Sequence, residues 1–409
     1  MATAAQVDAA VPTGAGTAPQ RSLVNALLKD LIAADVFGQS LRNVATRASV
    51  CNAFFAGDTQ TMCRSAHVLR SPVTALRLLY GAWRGDFQNG ETGPGGTTTY
   101  TASIEYPSGT FTQVTFGGGA TSAAVASLGE VISDEIPVSI PLNATFWIRS
   151  WTSNPNGMLY IAKLPALTFG EVFESGAAIT DKTMSGTVAN GSSNMHSPYA
   201  ILGISDRSSA FLWGDSRTLG QNDVYTNTRH NDLGILARSV GPTMAYINCG
   251  IPSDRLQIIV GNAGANASRR ASLATRFCTD AITALGINDM TNGRTAVLAY
   301  ADLLTIWALL QPLSVFSCTV NPASTSTDSF ATTANQTTVA SNAQRVALNN
   351  LLRTSGMSSG VFDLADVVES ARDSGLWKAP GYTADGLHES QLASLAIANS
   401  RAIEVGRLA

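Results

Sequence analysis

The sequence predicts two folded units behind a flexible lead-in at positions 1–20: an all-β, jelly-roll-like domain at 21–190 and a three-layer α/β/α domain on a parallel sheet at 191–409. Three observations predict this. Between about positions 68 and 162, short β-branched and aromatic runs alternate with Gly/Pro/Asn turns, without a helical period. Beyond about position 200 the rhythm becomes strand, helix, strand. The composition, 45% hydrophobic and only 13% charged, allows a sizeable core in each unit.

In chain order, positions 22–34 place Leu23, Leu27, Leu28 and Leu31 at helical spacing behind Ser22, a suitable N-cap, and predict a short amphipathic helix. Strands are predicted at 76–80, 98–106, 111–116, 135–140, 145–151 and 158–162, with Pro107-Ser108-Gly109 inside a hairpin connection. Many short strands without helices between them indicate a β-sandwich. Positions 176–196 are small and polar and read as a loop. Then come strands at 210–213 and 244–247, and a run at 256–260 that fits either a strand or an interrupted loop. Helices are predicted at 268–285, 296–310, 341–354 and 391–405, with strands at 313–320 and 360–364. Such alternation gives a parallel sheet covered on both faces, with functional groups at the carboxyl ends of its strands.

A net charge of −3 gives no electrostatic reason to expect a nucleic acid or a membrane as partner. Cys51 and Cys63 are the one pair close enough in sequence to consider for a disulfide; Cys249, Cys278 and Cys318 read as small buried hydrophobes. Neither CxxC nor HExxH occurs, so no metal or cofactor is expected. The first twenty residues have neither a basic start nor an apolar run, so they do not read as a signal peptide. The expected location is therefore cytoplasmic or released, including virion-associated.

Four short motifs carry the chemistry. Gly214-Asp215-Ser216 follows an apolar strand, Asn248-Cys249-Gly250 follows the next, Gly286-Ile287-Asn288-Asp289 is third, and Asp385-Gly386-Leu387-His388 lies near the end. A serine needs a base and a fixed geometry to become a nucleophile, and Ser216 sits at a strand-to-helix turn. Gly-Asp-Ser taken alone is equally a plain turn. Of four histidines, His388 stands three residues after Asp385 in one loop, where the carboxylate is able to orient the ring. His230, with Asp232 nearby, is its rival for the role of base.

Taken together and in this order, the four motifs resemble the blocks of the SGNH hydrolases, also called the GDSL esterase/lipase family, over about positions 210–409. The resemblance implies Ser216 as nucleophile, His388 as base, Asp385 as its orienting carboxylate, and an oxyanion hole from the Ser216 N–H, the Gly250 N–H and the Asn288 amide. Two departures stand out. Arg217 follows the serine, as a partner for Asp215 or a lining of the acyl pocket, and Ile251-Pro252-Ser253-Asp254 replaces the extra glycine of the second block.

A β-sandwich ahead of such a domain is similar to some carbohydrate acetyl esterases. The expected activity is removal of O-acetyl groups from a glycan, with a general short-chain esterase or lipase as alternative. A virion or appendage protein that keeps the hydrolase fold is the alternative from another class. Trp83, Trp147 and Trp151 are candidates for stacking on sugar rings, although core packing is their commoner use. Arg269, Arg270 and Arg276 read as a solvated helix face, and positions 261–268 as a flexible rim.

Overall fold

The apolar runs Ser209–Gly214, Ala245–Gly250, Asp280–Ala284 and Ser314–Cys318 are buried on both faces, so they read as nearly continuous hydrophobic sequence rather than an alternation. A computed structural model describes residues 40–191, 194–225 and 232–408 of the chain. In it these runs form the centre of a six-stranded sheet ordered Ala48–Ser49, Ala245–Gly250, Ser209–Gly214, Asp280–Ala284, Ser314–Cys318, Gly360–Phe362, with every neighbour parallel. Phe211 and Trp213 share a core with Leu273, Leu303 and Ile306 of helices Ser268–Phe277 and Ala296–Leu309. Ala210 and Leu212 belong to the opposite core, with Val240 of Ala237–Val240 and Ile397 of Gln391–Ser400. The expected helix at 22–34 and His230 lie outside the described residues.

The helix expected at 268–285 ends at Phe277. Cys278 takes an extended backbone (φ −123°, ψ 162°), and the Thr279 N–H bonds Ser209 O at 2.9 Å, which starts the strand Asp280–Ala284. The ambiguous run at 256–260 is neither strand nor loop. It is a short helix, Leu256–Ile259, whose first N–H groups bond Asp289.

The N-terminal half contributes two antiparallel sheets. One joins Ser40–Asn43, Ala200–Ser205, Ala75–Gly81 and Glu130–Ile132; the other joins Ala123–Ala126, Thr97–Glu105, Thr145–Ser153, Gln60–Val68 and Val172–Gly176. Leu76, Leu78 and Tyr80 of the first share one core with Tyr100, Ile104, Phe146 and Ile148 of the second. Strand pairing crosses position 190 in both directions. Ala200–Ser205 completes an antiparallel sheet, while Ala48–Ser49 edges the parallel one.

Ion pairs fasten the two halves. Arg269 and Arg270 meet Glu91, and Arg276 meets Glu130 at 2.6 Å, so this arginine cluster docks onto the β-rich half instead of forming a solvated face. Residues 262–267 form a 3-10 turn beside it, held by the Arg270 guanidinium, which donates to Asn266 O and Gly90 O. Arg47 bridges Glu171 and Asp232, and Lys163 pairs with Asp232. Cys51 and Cys63 are buried free thiols rather than a disulfide, and burial pushes the Cys51 thiol up to about 12. Trp83 is fully buried, edge-on to Tyr199, and so is no platform for a sugar.

Candidate active site

The strand Ser209–Gly214 delivers the first motif at the carboxyl edge of the sheet. A side chain at Gly214 would put its Cβ 1.9 Å from Thr218 Oγ1 and 2.9 Å from Ala284 O, so only glycine fits that turn. Asp215 caps the helix Ser216–Leu219 by accepting the Arg217 N–H at 3.0 Å. Ser216 thus occupies the first helical position, where a backbone N–H has no intrahelical acceptor. The Arg217 guanidinium turns inward and donates to Asn321 O at 3.0 Å and Pro322 O at 2.8 Å. It anchors the turn from behind. Its nearest carboxylate partner is Glu389, at 3.8 Å, rather than Asp215. Burial raises the Asp215 carboxyl to about 6, against the pull of the nearby Arg217 charge and N–H.

The last motif closes over this serine. His388 Nε2 lies 2.9 Å from Ser216 Oγ, and His388 Nδ1 lies 2.7 Å from Asp385 Oδ2. Asp385 Oδ1 accepts the N–H groups of Leu387 and His388, both at 2.8 Å, so a single turn fixes both the carboxylate and the ring. With Asp385 as acceptor, Nδ1 carries the proton and the Nε2 lone pair is left facing the serine hydroxyl. Burial works to raise the Asp385 carboxyl, but its hydrogen bonds to the His388 ring and to the two backbone N–H groups prevail and hold it at about 2. Gly386 makes the turn possible with φ +78°, and its carbonyl receives the Trp377 indole N–H at 3.0 Å. Ser216 and His388 are both buried, each with 6% of its surface exposed.

The remaining site elements differ from expectation in one respect. Asn288 is half-buried and donates to Asp254 O at 3.1 Å, which leaves the other amide hydrogen for a ligand. The Gly250 N–H, expected as a donor, is already bonded to Asn248 Oδ1 at 2.8 Å. Within the same connection, Ser253 has a left-handed backbone (φ +62°) and is exposed, and its N–H finds no acceptor among the described residues. In the sequence, Pro252-Ser253-Asp254 stands out only as lacking a glycine. A second unanticipated residue is Asn222, whose Nδ2 donates to Asp385 Oδ2 at 2.7 Å. Asp254 itself is buried against Arg270 at 2.7 Å, which ties the turn beside Asn288 to the contact between the halves.

Two other histidines are structural. His67 is buried between Thr46 O at 2.9 Å and Ser65 Oγ at 2.7 Å; His196 is buried and stacks on Tyr80. Burial lowers both to about 4, so they are neutral near pH 7.

No protein-family model and no curated protein matches the chain. Among solved structures, about half of it is similar to small esterases. A carbohydrate acetylesterase from Sinorhizobium meliloti shares 17% identity over 50% of this chain and 100% of its own (TM-score 0.34). The native aryl esterase of M. smegmatis shares 14% over 50% and 100% (TM-score 0.35). A lipase/acylhydrolase from Enterococcus faecalis shares 18% over 50% and 98% (TM-score 0.33). At this level of likeness the chemistry has to be argued from the geometry alone.

Proposed function

We propose that the chain is a serine carboxylester hydrolase of the SGNH type. The observation that carries this reading is the unbroken hydrogen-bonded line Ser216 Oγ, His388 Nε2, His388 Nδ1, Asp385 Oδ2 at the carboxyl edge of a parallel sheet. Ser216 Oγ attacks the ester carbonyl carbon while His388 Nε2 takes the hydroxyl proton. The oxyanion is met by the Ser216 N–H and the Asn288 amide, and we assign the third donor to the Ser253 N–H in place of Gly250. As the intermediate collapses, His388 returns the proton to the leaving alcohol. Water then releases the acid by the same steps.

The finer reading is an acetyl group on a carbohydrate, with the two antiparallel sheets as a jelly-roll-like unit beside the site. What supports it is that the side chains next to Asn288, Leu256, Leu285 and Ile287, are buried in the core rather than laid out as an exposed apolar face for a fatty chain. Hydrolysis of p-nitrophenyl esters of graded acyl length tests both levels, together with labelling by a serine-reactive phosphonate. We expect label on Ser216 and faster turnover of acetyl than octanoyl esters. Label elsewhere would overturn the site, and faster turnover of octanoyl esters would overturn the acetyl preference.

A further inference from the structure

A cleft of about 410 Å³ lies between the two halves beside the triad. Residues 162–164, from the β-rich half, form one wall; residues 219–223 and Pro252 form the other. Asn222 locates the cleft relative to the chemistry, because this lining residue donates to the Asp385 oxygen that also holds the His388 ring. The cleft therefore lies against the carboxylate that orients the imidazole.

Its charges are already matched. Lys163 pairs with Asp232, and Asp223 pairs with Arg238 at 2.7 Å. What remains for a ligand is the apolar surface of Leu164, Leu219 and Pro252 and the side-chain amides of Gln221 and Asn222. The Leu164 wall is held in place. The Ala162 N–H bonds Asn52 Oδ1 at 2.9 Å, and Asn52 Nδ2 in turn bonds Gly250 O at 3.0 Å, so one buried side chain ties the wall to the end of a catalytic-sheet strand.

We infer that this cleft receives the alcohol portion of the ester, a neutral group with an apolar face and hydrogen-bonding hydroxyls, and that Leu164 helps select it. The inference rests on the esterase reading above. Its physical basis is that the group protonating the leaving oxygen must lie next to it, so the departing alcohol lies on the imidazole side. The volume falls in the range of ordinary small-molecule sites, roughly 300–1,000 Å³. Leu164 is 53% exposed, so its replacement can change the cleft without disturbing the core.

The test compares wild type with Leu164→Trp and Leu164→Ala on two ester series. The first keeps acetyl and enlarges the alcohol from ethyl acetate to an acetylated monosaccharide; the second keeps ethanol and lengthens the acyl chain. Leu164→Trp should lower kcat/KM for the monosaccharide acetate by about 10-fold relative to ethyl acetate. Leu164→Ala should change the large-to-small alcohol ratio without altering the acyl-length profile. An equal effect on all alcohols, or one that follows acyl length, would overturn the assignment of the cleft. Wild type inactive on every ester would remove the esterase reading and this inference with it. An active wild type indifferent to position 164 would remove only the inference.

Discussion

Two groups of charged and polar side chains connect distant parts of this chain, and they are built on opposite plans. In the network that crosses between the halves through Arg47 and Asp232, Glu171 is sealed in: one oxygen accepts the Ala66 N–H at 3.0 Å, the other accepts the Ala166 N–H at 2.8 Å and pairs with Arg47. At the sheet edge, Asp385 leaves 40% of its side chain exposed and hands its orienting bond to a ring that holds a single serine hydroxyl. In the first group an arginine keeps its proton at any working pH, so the network fixes geometry. In the second, Ser216 meets a histidine, whose proton can move, and the carboxylate that orients the ring is open to solvent. Burial and the identity of the basic group, rather than the number of charges, separate a fastening from a site whose proton can move.

The sharpest way to break this contrast is to remove the mobile proton. Ser216→Ala and His388→Ala should each lower kcat by about 10³-fold or more, and the double variant should be little worse than either, because the groups act as a unit. Thermal unfolding of both should stay close to wild type. Near-normal turnover in either single variant would mean that this triad is not the reactive group. Asn288→Ala comes next, with kcat reduced by about 10²–10³-fold and a smaller change in KM. A loss confined to KM would place Asn288 in substrate binding instead.

The sealed group should respond in the opposite sense. Glu171→Gln leaves Arg47 with a weaker partner in a buried site, and removing one member of such a pair costs about 3 kcal/mol or more of stability. Denaturant melts should show that loss, while the rate per folded molecule at low temperature remains near wild type. A large fall in that rate, with stability intact, would show that the fastening also shapes the site.

What the sequence revealed follows from how local each constraint is. The Asp385 and His388 side chains belong to one four-residue turn, and Gly214 is required by an atom four residues ahead, so both motifs could be read in a short window. The strand Asp280–Ala284 reads as part of a longer helix because a strand buried on both faces shows no alternation. The strand Gln60–Val68 is not legible in the sequence because it carries Arg64, Ser65 and His67; their partners, Glu105 and Thr46 among them, are distant in sequence. Gly250 was placed correctly at a strand end, but only coordinates reveal that the Asn248 side chain captures its N–H. Asn222 gave no signal at all, since its partner lies 163 residues away.

Asn222 supplies the smallest effect and the finest test of the contrast. Its amide reaches the same carboxylate oxygen as the His388 ring, yet it is exposed, so water can replace it as donor. Its backbone is left-handed (φ +66°), which makes glycine the replacement that removes the hydrogen bond without adding strain. Asn222→Gly should lower kcat by about 2- to 10-fold, the range expected for one ordinary hydrogen bond, with KM for a small acetate ester little changed. No change in kcat would show that the 385–388 turn holds its carboxylate unaided. A loss approaching that of His388→Ala would mean that Asp385 depends on a residue outside its own turn, and the site would then be less local than its motif suggests.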